Sequence, residues 1–137
     1  MKPRSSADQT GGVRYFPRML DKIRLHAKGE LDPDYHPNLG AGADGRLTKF
    51  LRVSYPDLCQ RVGQGGSDEE ILEWCFENGR RLDENDREIW NGFIAKLGWN
   101  DFGSEYLAKV KETCGLGHRD DIVTFSQLIE VDEGRQP

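Results

Sequence analysis

Apolar residues recur along most of the chain at spacings of three and four positions, which place them on one side of a helix. The clearest stripe lies in residues 85–97 and consists of Ile89, Trp90, Phe93, Ile94 and Leu97. No segment shows the sustained two-residue alternation of β-branched and aromatic side chains that is typical of a half-buried strand. The pattern predicts an all-α fold, a compact single-domain bundle of about six or seven short helices with one long Pro/Gly-rich loop.

Residues that favour helix ends support this assignment. Pro17 suits the first turn of a helix that runs to about Lys28 and is closed by Gly29. Ser67 and Glu70 have the spacing of a capping box, in which each side chain bonds to the backbone of the other residue. Further short helices are predicted within residues 46–53, 56–62, 104–114 and 125–129.

The helical spacing also assigns residues to the core. In the first helix the inward stripe contains Met19, Leu20, Ile23 and Ala27. Leu25 falls among charged residues, so we expect the loop, the C-terminal segment or another subunit to cover it. Gly92 costs about 1 kcal/mol relative to Ala inside a helix, so we expect a neighbouring helix to cross closely there.

The long loop covers residues 29–45 and is rich in Pro, Gly, Asp and Asn, which argues against a helix. Within it, Gly40, Gly42 and Gly45 have the spacing of a dinucleotide-binding glycine string. We reject that interpretation because no strand is predicted on either side. The glycines are better explained by a tight turn with positive φ. An alternative is a helix N-terminus whose backbone N–H groups face an anion.

Length and apolar content define the predicted domain. A chain of 137 residues suits one domain with its own core. We assign residues 1–12 to a flexible N-terminal tail, 13–132 to the helical domain and 133–137 to a C-terminal tail. The chain has neither an apolar run of about 18 residues nor the apolar centre of a signal peptide, so its predicted location is the cytoplasm.

The charge of the chain is uneven. Residues 1–64 carry 11 Lys and Arg against 7 Asp and Glu, whereas residues 65–137 carry 8 against 17. The acidic half repels a polyanion, so nucleic acid is not an expected partner. The lack of a long apolar run argues against a membrane as well. We expect an anionic ligand, or an acidic protein, to meet the N-terminal half.

Metal and cofactor motifs are not found in the sequence. The histidines lack metal-ligand spacing: His26, His36 and His118. The cysteines lack CxxC spacing and are interpreted as buried apolar residues: Cys59, Cys75 and Cys114. We therefore predict no metal and no cofactor.

The candidate site combines the first helix with the following loop. Arg14, Arg18 and Lys22 would supply cationic donors to a small anion. Asp21 lies beside them, and Tyr35 and His36 would close over the ligand. The alternative is that this face is solvated and that its charges form local ion pairs.

Two other functions are compatible with the same residues. In an enzyme, Asp21 or His36 would act as a general base while Arg18 stabilises developing negative charge. In a protein-interaction module, Leu25 and the basic face would contact a partner directly. The sequence leaves the oligomeric state open.

Three blocks carry a family resemblance: "GGVRYFPRMLDKIRLHAKGEL", "SDEEILEWCFENGRR" and "EIWNGF". In order and spacing they resemble the uncharacterised, mainly bacterial family catalogued as domain of unknown function 5069, with "PRMLDK" as the most specific part. The resemblance covers most of residues 4–97, and the segment after Leu97 is interpreted as a departure from the family pattern. The family has no assigned activity, so the resemblance implies a small soluble domain and directs attention to residues 17–22.

Overall fold

The computed structural model describes residues 2–135 and is mainly helical. Its α-helices are α1 Phe16–Ala27, α2 Gly42–Leu51, α3 Tyr55–Gly63, α4 Asp68–Asn78, α5 Glu84–Lys96, α6 Ser104–Thr113 and α7 Phe125–Asp132. A 3₁₀ helix, Pro33–Asn38, lies between α1 and α2, and two short strands, β1 Gln9–Thr10 and β2 Val13–Arg14, precede α1. The predicted all-α class is confirmed, with a small hairpin in addition.

The hairpin begins in residues 1–12, which the sequence assigns to a flexible tail, and its second strand belongs to the predicted domain. β1 pairs antiparallel with β2, with Thr10 opposite Val13. Gly11 and Gly12 connect the strands with φ values of 56° and 79°, the left-handed conformation that a two-residue hairpin turn needs. Thr10 and Val13 are buried, and β1 contacts α1 and α4. This N-terminal region therefore packs against the helical body.

One main core holds most of the buried apolar side chains. Phe16, Met19 and Leu20 on α1 are fully buried at its centre. The residues that surround them come from the segments between α2 and α5: Leu47, Leu51, Leu58, Val62, Ile71, Leu72, Cys75, Leu82, Trp90 and Ile94. Leu25 is also buried, which confirms the expectation that another part of the molecule covers it.

A second, smaller cluster lies at the C-terminal end. Leu107, Ile122 and Leu128 are buried there, and Phe125 packs against them from the side. The Phe125 amide donates a hydrogen bond to the Leu97 carbonyl at 2.9 Å, which joins α7 to the end of α5. Among residues 2–135, no helix has the length and apolar character needed to cross a bilayer.

Several predicted core positions are wrong. Ile89 is 56% exposed because α5 packs through the side of Trp90 and Ile94. Apart from the backbone and chain neighbours of its own helix, no atom of residues 2–135 lies within 4 Å of the position that a Cβ on Gly92 would take, so no described helix crosses closely there. Cys114 follows the last turn of α6 and is exposed. Ala27, in the last turn of α1, is exposed as well.

The long loop is more ordered and shorter than predicted. Asp32 caps the 3₁₀ helix by accepting a hydrogen bond from the Asp34 amide at 2.9 Å. The next helix already begins at Gly42, because Gly does not prevent a helical first turn. By contrast, the predicted capping box of α4 is confirmed: Ser67 and Glu70 exchange hydrogen bonds of 3.1 Å.

Candidate functional site

Arg18 on α1 points into the protein. The residue is 4% exposed, and its guanidinium binds Glu133 through two hydrogen bonds, from Nη1 to Oε1 at 2.9 Å and from Nη2 to Oε2 at 2.7 Å. This bidentate geometry is the strong form of an arginine–carboxylate pair. Because Glu133 directly follows α7, the pair ties the C-terminal end of the described chain to α1.

Other side chains complete the surroundings of Glu133. The Tyr35 hydroxyl donates to its Oε2 at 2.6 Å, and Arg135 donates to its Oε1. Burial by itself would raise the pKa of Glu133, but Arg18, Tyr35 and Arg135 outweigh burial and hold it below the usual value. Burial also opposes the charge of Arg18, yet Glu133 raises the pKa of that guanidinium.

Lys22, one turn further along α1, enters a second buried cluster. Its Nζ lies 3.0 Å from Asp44 Oδ1 and 3.2 Å from the Tyr15 hydroxyl oxygen. The Tyr15 hydroxyl donates to Asp44 Oδ1 at 2.6 Å, and the Gly40 amide donates to Asp44 Oδ2 at 3.0 Å. Asp44 is fully buried, so its carboxylate joins α1, the hairpin end and the glycine turn from the inside.

Burial shifts the pKa of the groups around Asp44. It lowers the pKa of Lys22, and the neighbouring Asp44 carboxylate opposes that change. It raises the pKa of the Tyr15 phenol well above its ordinary value, and Asp44 raises it further. Tyr15 also has a φ of 76°, an uncommon left-handed conformation for a residue with a side chain. The cluster is thus a constrained internal ion pair.

The other predicted site residues lie apart from these clusters. Arg14 bonds to α5 through its backbone: its amide donates to Asn91 at 3.0 Å and its carbonyl accepts from Trp90 Nε1 at 2.8 Å. Asp21 accepts a hydrogen bond from the Arg4 amide at 3.0 Å. His36 is exposed and packs edge-on against His26, with ring centroids 4.7 Å apart.

The structure therefore brings Arg18 and Tyr35 together, whereas Lys22 turns to a different carboxylate. Sequence reasoning missed both carboxylates that receive the α1 cations. Glu133 was assigned to a tail, although its place directly after an apolar helix was a usable signal. Asp44 lies inside the glycine string and before the predicted start of the next helix at residue 46, so the sequence offered no signal that it is a buried acid of the first turn of α2.

A groove of about 750 Å³ lies on a different side of the long loop, between α2 and α5. Its volume is within the range of small-molecule sites. One wall is the glycine turn, and the other wall is apolar; the lining residues are Gly40, Ala41, Gly42, Gly45, Arg46, Lys49, Phe50, Ile89, Trp90 and Phe93. We call this feature the α2–α5 groove.

Glycine is required in the turn that forms one wall. Gly40 and Gly42 have φ values of 72° and 53°, so the predicted tight turn with positive φ is confirmed at both positions. A Cβ on Gly40 would lie 2.8 Å from the Tyr55 ring, and one on Gly45 would lie 3.1 Å from the Gly40 carbonyl oxygen. The third glycine thus allows close approach of the backbone.

The first turn of α2 faces the groove without a side-chain cap. Ala41 is the N-cap residue and provides no side-chain hydrogen bond. The first backbone N–H groups of a helix have no partner within it and favour negative charge nearby. Asp44 is the acid of this turn, and its buried carboxylate is neutralised by Lys22 on α1.

Two cations stand at the groove without an internal acid. Arg46 and Lys49 are exposed, and no carboxylate of residues 2–135 lies within ion-pair distance of either. The Arg46 guanidinium lies over aromatic rings, 4.5 Å from the centroid of Phe102 and 5.9 Å from that of Phe93. These cations differ from Arg18 and Lys22, whose charges are matched inside the protein.

An aromatic row runs along the groove through Phe50, Trp90 and Phe93 and continues beyond its lining to Phe102. Phe50 and Trp90 are stacked with centroids 5.8 Å apart, Trp90 and Phe93 are 5.8 Å apart, and Phe93 stacks on Phe102 at 6.2 Å. Arg80 lies over Phe50 at 4.4 Å, at the opposite end from Arg46. The groove therefore combines a cationic end, uncapped amides and flat apolar surfaces.

A comparison with protein-family models finds a match that covers all the described helices and strands. A family model described as Domain of unknown function (DUF5069) covers residues 1–135. The chain belongs to this family. The match includes α6 and α7, so the interpretation of the segment after Leu97 as a departure from the family is wrong. A search of curated proteins finds no match.

Proposed function

We propose that this domain binds a small anionic ligand in the α2–α5 groove. The observation that carries the proposal is the groove lining, in which two α2 cations without internal acids, Arg46 and Lys49, occur together with the uncapped first turn of that helix. Charge-assisted hydrogen bonds to such groups contribute about 1.5–3 kcal/mol each. An anion would therefore find donors that the fold leaves unused.

The proposal keeps the predicted ligand class but moves its location. In α1, an anion would have to displace Glu133 from Arg18 or Asp44 from Lys22, and removing one partner of a buried pair costs about 3–5 kcal/mol. In the α2–α5 groove no such exchange is needed. The long loop still contributes to the site, through its glycine turn and not through Tyr35 or His36.

Titration with small anions tests the proposal. Inorganic phosphate, methyl phosphate and acetate are added while thermal unfolding is followed. A bound anion stabilises the fold by about 2.7 kcal/mol at a hundredfold excess over its dissociation constant. We expect at least one of the three to raise the unfolding temperature, and we expect Arg46→Gln or Lys49→Gln to reduce that rise.

Lys109→Gln is the matched control, because Lys109 is an exposed cation on α6, outside the groove lining. It removes the same charge and should leave the anion response unchanged. Equal responses in Arg46→Gln and the unaltered chain, or no response to any of the three anions, would contradict the proposal. A response lost equally in Lys109→Gln would indicate attraction by net charge alone.

The predicted alternatives keep their separate tests. In the enzyme alternative, turnover of a bound ligand would be abolished by Asp21→Asn or His36→Ala. In the interaction alternative, an acidic protein would bind and no small anion would. Neither Asp21 nor His36 lines the α2–α5 groove, so the geometry favours binding over catalysis by these residues.

A further inference from the structure

The spacing between cation and rings limits the ligand that the α2–α5 groove can hold. The guanidinium carbon of Arg46 lies 4.5 Å from the Phe102 centroid and 5.9 Å from the Phe93 centroid. An anion bonded to Arg46 is therefore a neighbour of both rings. Whatever carries the anionic group lies against an aromatic surface within a few bonds of it.

Phe102 is held at this place by the turn that contains it. The Asp101 carboxylate accepts hydrogen bonds from the amides of Gly98 at 3.1 Å and Gly103 at 2.9 Å. Ser104 Oγ accepts a bond from the Asp101 amide at 3.0 Å and donates one to the Gly98 carbonyl at 2.8 Å. The turn is preorganised, so binding against Phe102 needs little ordering of the chain.

The exposed area of the Phe102 ring indicates which kind of ligand could pack against it. The ring is 65% exposed although it stacks on Phe93 and lies under Arg46. A flat ring can stack offset on an aromatic side chain, and a guanidinium next to the stack attracts both the π-surface and an anion. Aliphatic ligands with the same charge lack the first of these interactions.

From these contacts, and resting on the proposed function, we infer that the ligand is an anion attached to a planar aromatic or heteroaromatic ring. Its phosphate or carboxylate bonds to Arg46 beside the first turn of α2, and Lys49 lies one turn further along the same helix. Its ring lies against Phe93 and Phe102. The linker between ring and anionic group is short because the cation and the rings are adjacent.

Two probes that differ in the ring test this inference. Phenyl phosphate and methyl phosphate carry the same anionic group, and only the first carries a ring. Stacking on an aromatic side chain favours binding of a flat ring, so we expect phenyl phosphate to bind the unaltered chain about tenfold more tightly, a factor that corresponds to about 1.4 kcal/mol. Affinities are measured by calorimetric titration.

Matched variants separate the ring contact from the charge contact. Phe102→Leu should reduce the preference for phenyl phosphate several-fold and leave methyl phosphate binding unchanged. Tyr106→Leu is the control, since Tyr106 is also exposed, at 60%, but packs against Phe125, whereas Phe102 lies under Arg46. Arg46→Gln should weaken both probes.

The outcomes distinguish the inference from the function on which it rests. Equal binding of both probes, with loss in Arg46→Gln, would overturn the aromatic ligand class and leave the anion site intact. Binding of phenyl phosphate that is unaffected by Arg46→Gln would overturn the anion site itself, as would no binding of either probe. A ring preference that survives Phe102→Leu would overturn the placement of the ring.

Discussion

Two acidic side chains determine whether the positive charges of α1 are paired inside the protein or face solvent. Arg18 and Lys22 are both 4% exposed, and each meets a buried carboxylate from a distant part of the chain. A helical-wheel argument places the two residues on the same side of α1, and it cannot show whether that side meets water or protein. The fate of the charges depends on Glu133 and Asp44, which are far away in sequence.

Removal of Glu133 should destabilise the fold strongly. In Glu133→Ala, Arg18 remains buried without its carboxylate, which costs about 3–5 kcal/mol. The double variant Arg18→Met/Glu133→Leu removes both charges and should recover most of that loss, because buried ion pairs and apolar replacements are often similar in stability. Denaturant unfolding of the three proteins measures this. Equal destabilisation in the single and double variants would contradict the internal role of the pair.

The same pair should make the protein sensitive to acid. The pKa of Glu133 is lower in the folded state than in the unfolded chain, so folding favours its ionised form. The stabilisation is complete above the unfolded value of about 4.3 and is lost as the pH falls through the lower folded pKa. The Arg18→Met/Glu133→Leu protein should lose less free energy of unfolding over that window than the unaltered chain does. If the free energy of unfolding fell equally with pH in both proteins, the ionised Glu133 would not be a source of the acid sensitivity.

Tyrosine ionisation gives an alkaline counterpart. Burial raises the pKa of Tyr15, Tyr35 and Tyr55 in the folded protein, and neighbouring acids or Cys59 raise it further. A raised folded pKa contributes stability below the unfolded value of about 10 and loses it as the pH increases. Native protein slightly above that pH should therefore show less tyrosinate absorbance than the same protein in denaturant. Identical absorbance before and after unfolding would be inconsistent with these buried phenols.

Helix ends and glycine turns are the elements that shape the α2–α5 groove. The sequence predicts the strong ends well, because a capping box depends only on residues three positions apart, as in Ser67 and Glu70. It also predicts the glycine turn. The start of α2 at Gly42 and the open side of α5 at Ile89 were not predicted, since both depend on which neighbours pack against the helix.

Two glycine substitutions should have opposite effects. Gly40→Ala forces a side chain into a residue with φ of 72° and places its Cβ 2.8 Å from the Tyr55 ring, so we expect a loss of about 1–3 kcal/mol. Gly92→Ala meets no neighbour inside α5 and should stabilise the protein by up to about 1 kcal/mol. Chemical denaturation compares the two. A stabilising Gly40→Ala would show that the turn is not constrained as described.

At the scale of the whole molecule, part of the uneven charge distribution is matched within residues 2–135. The basic N-terminal half contacts the acidic C-terminal half through Arg18 with Glu133 and through Arg24 with Asp68, at 2.7 and 2.6 Å. Charge counts by sequence half predicted an anion-binding half, but they do not show which cations are already paired. The groove could not be predicted because its walls, Gly40–Arg46 and α5, are joined only by the folded structure.

The two apolar clusters should differ in local stability. Among residues 2–135, the main cluster contains sixteen buried residues, whereas the C-terminal cluster contains three. Local opening requires less free energy where few apolar contacts are lost. In native-state hydrogen exchange, amides of α6 should therefore exchange faster than those of α1. Equal protection of the two helices would indicate a single cooperative unit.

The central claim is that the usable positive charge lies at the α2–α5 groove and not on α1. Amide chemical-shift mapping during a titration with phenyl phosphate tests it most directly, because the method shows which surface the anion contacts. We expect saturable shifts at residues 41–46 and at the amides of Phe93 and Phe102. Shifts centred on Arg18, Lys22 and Tyr35, with none in the groove, would contradict it.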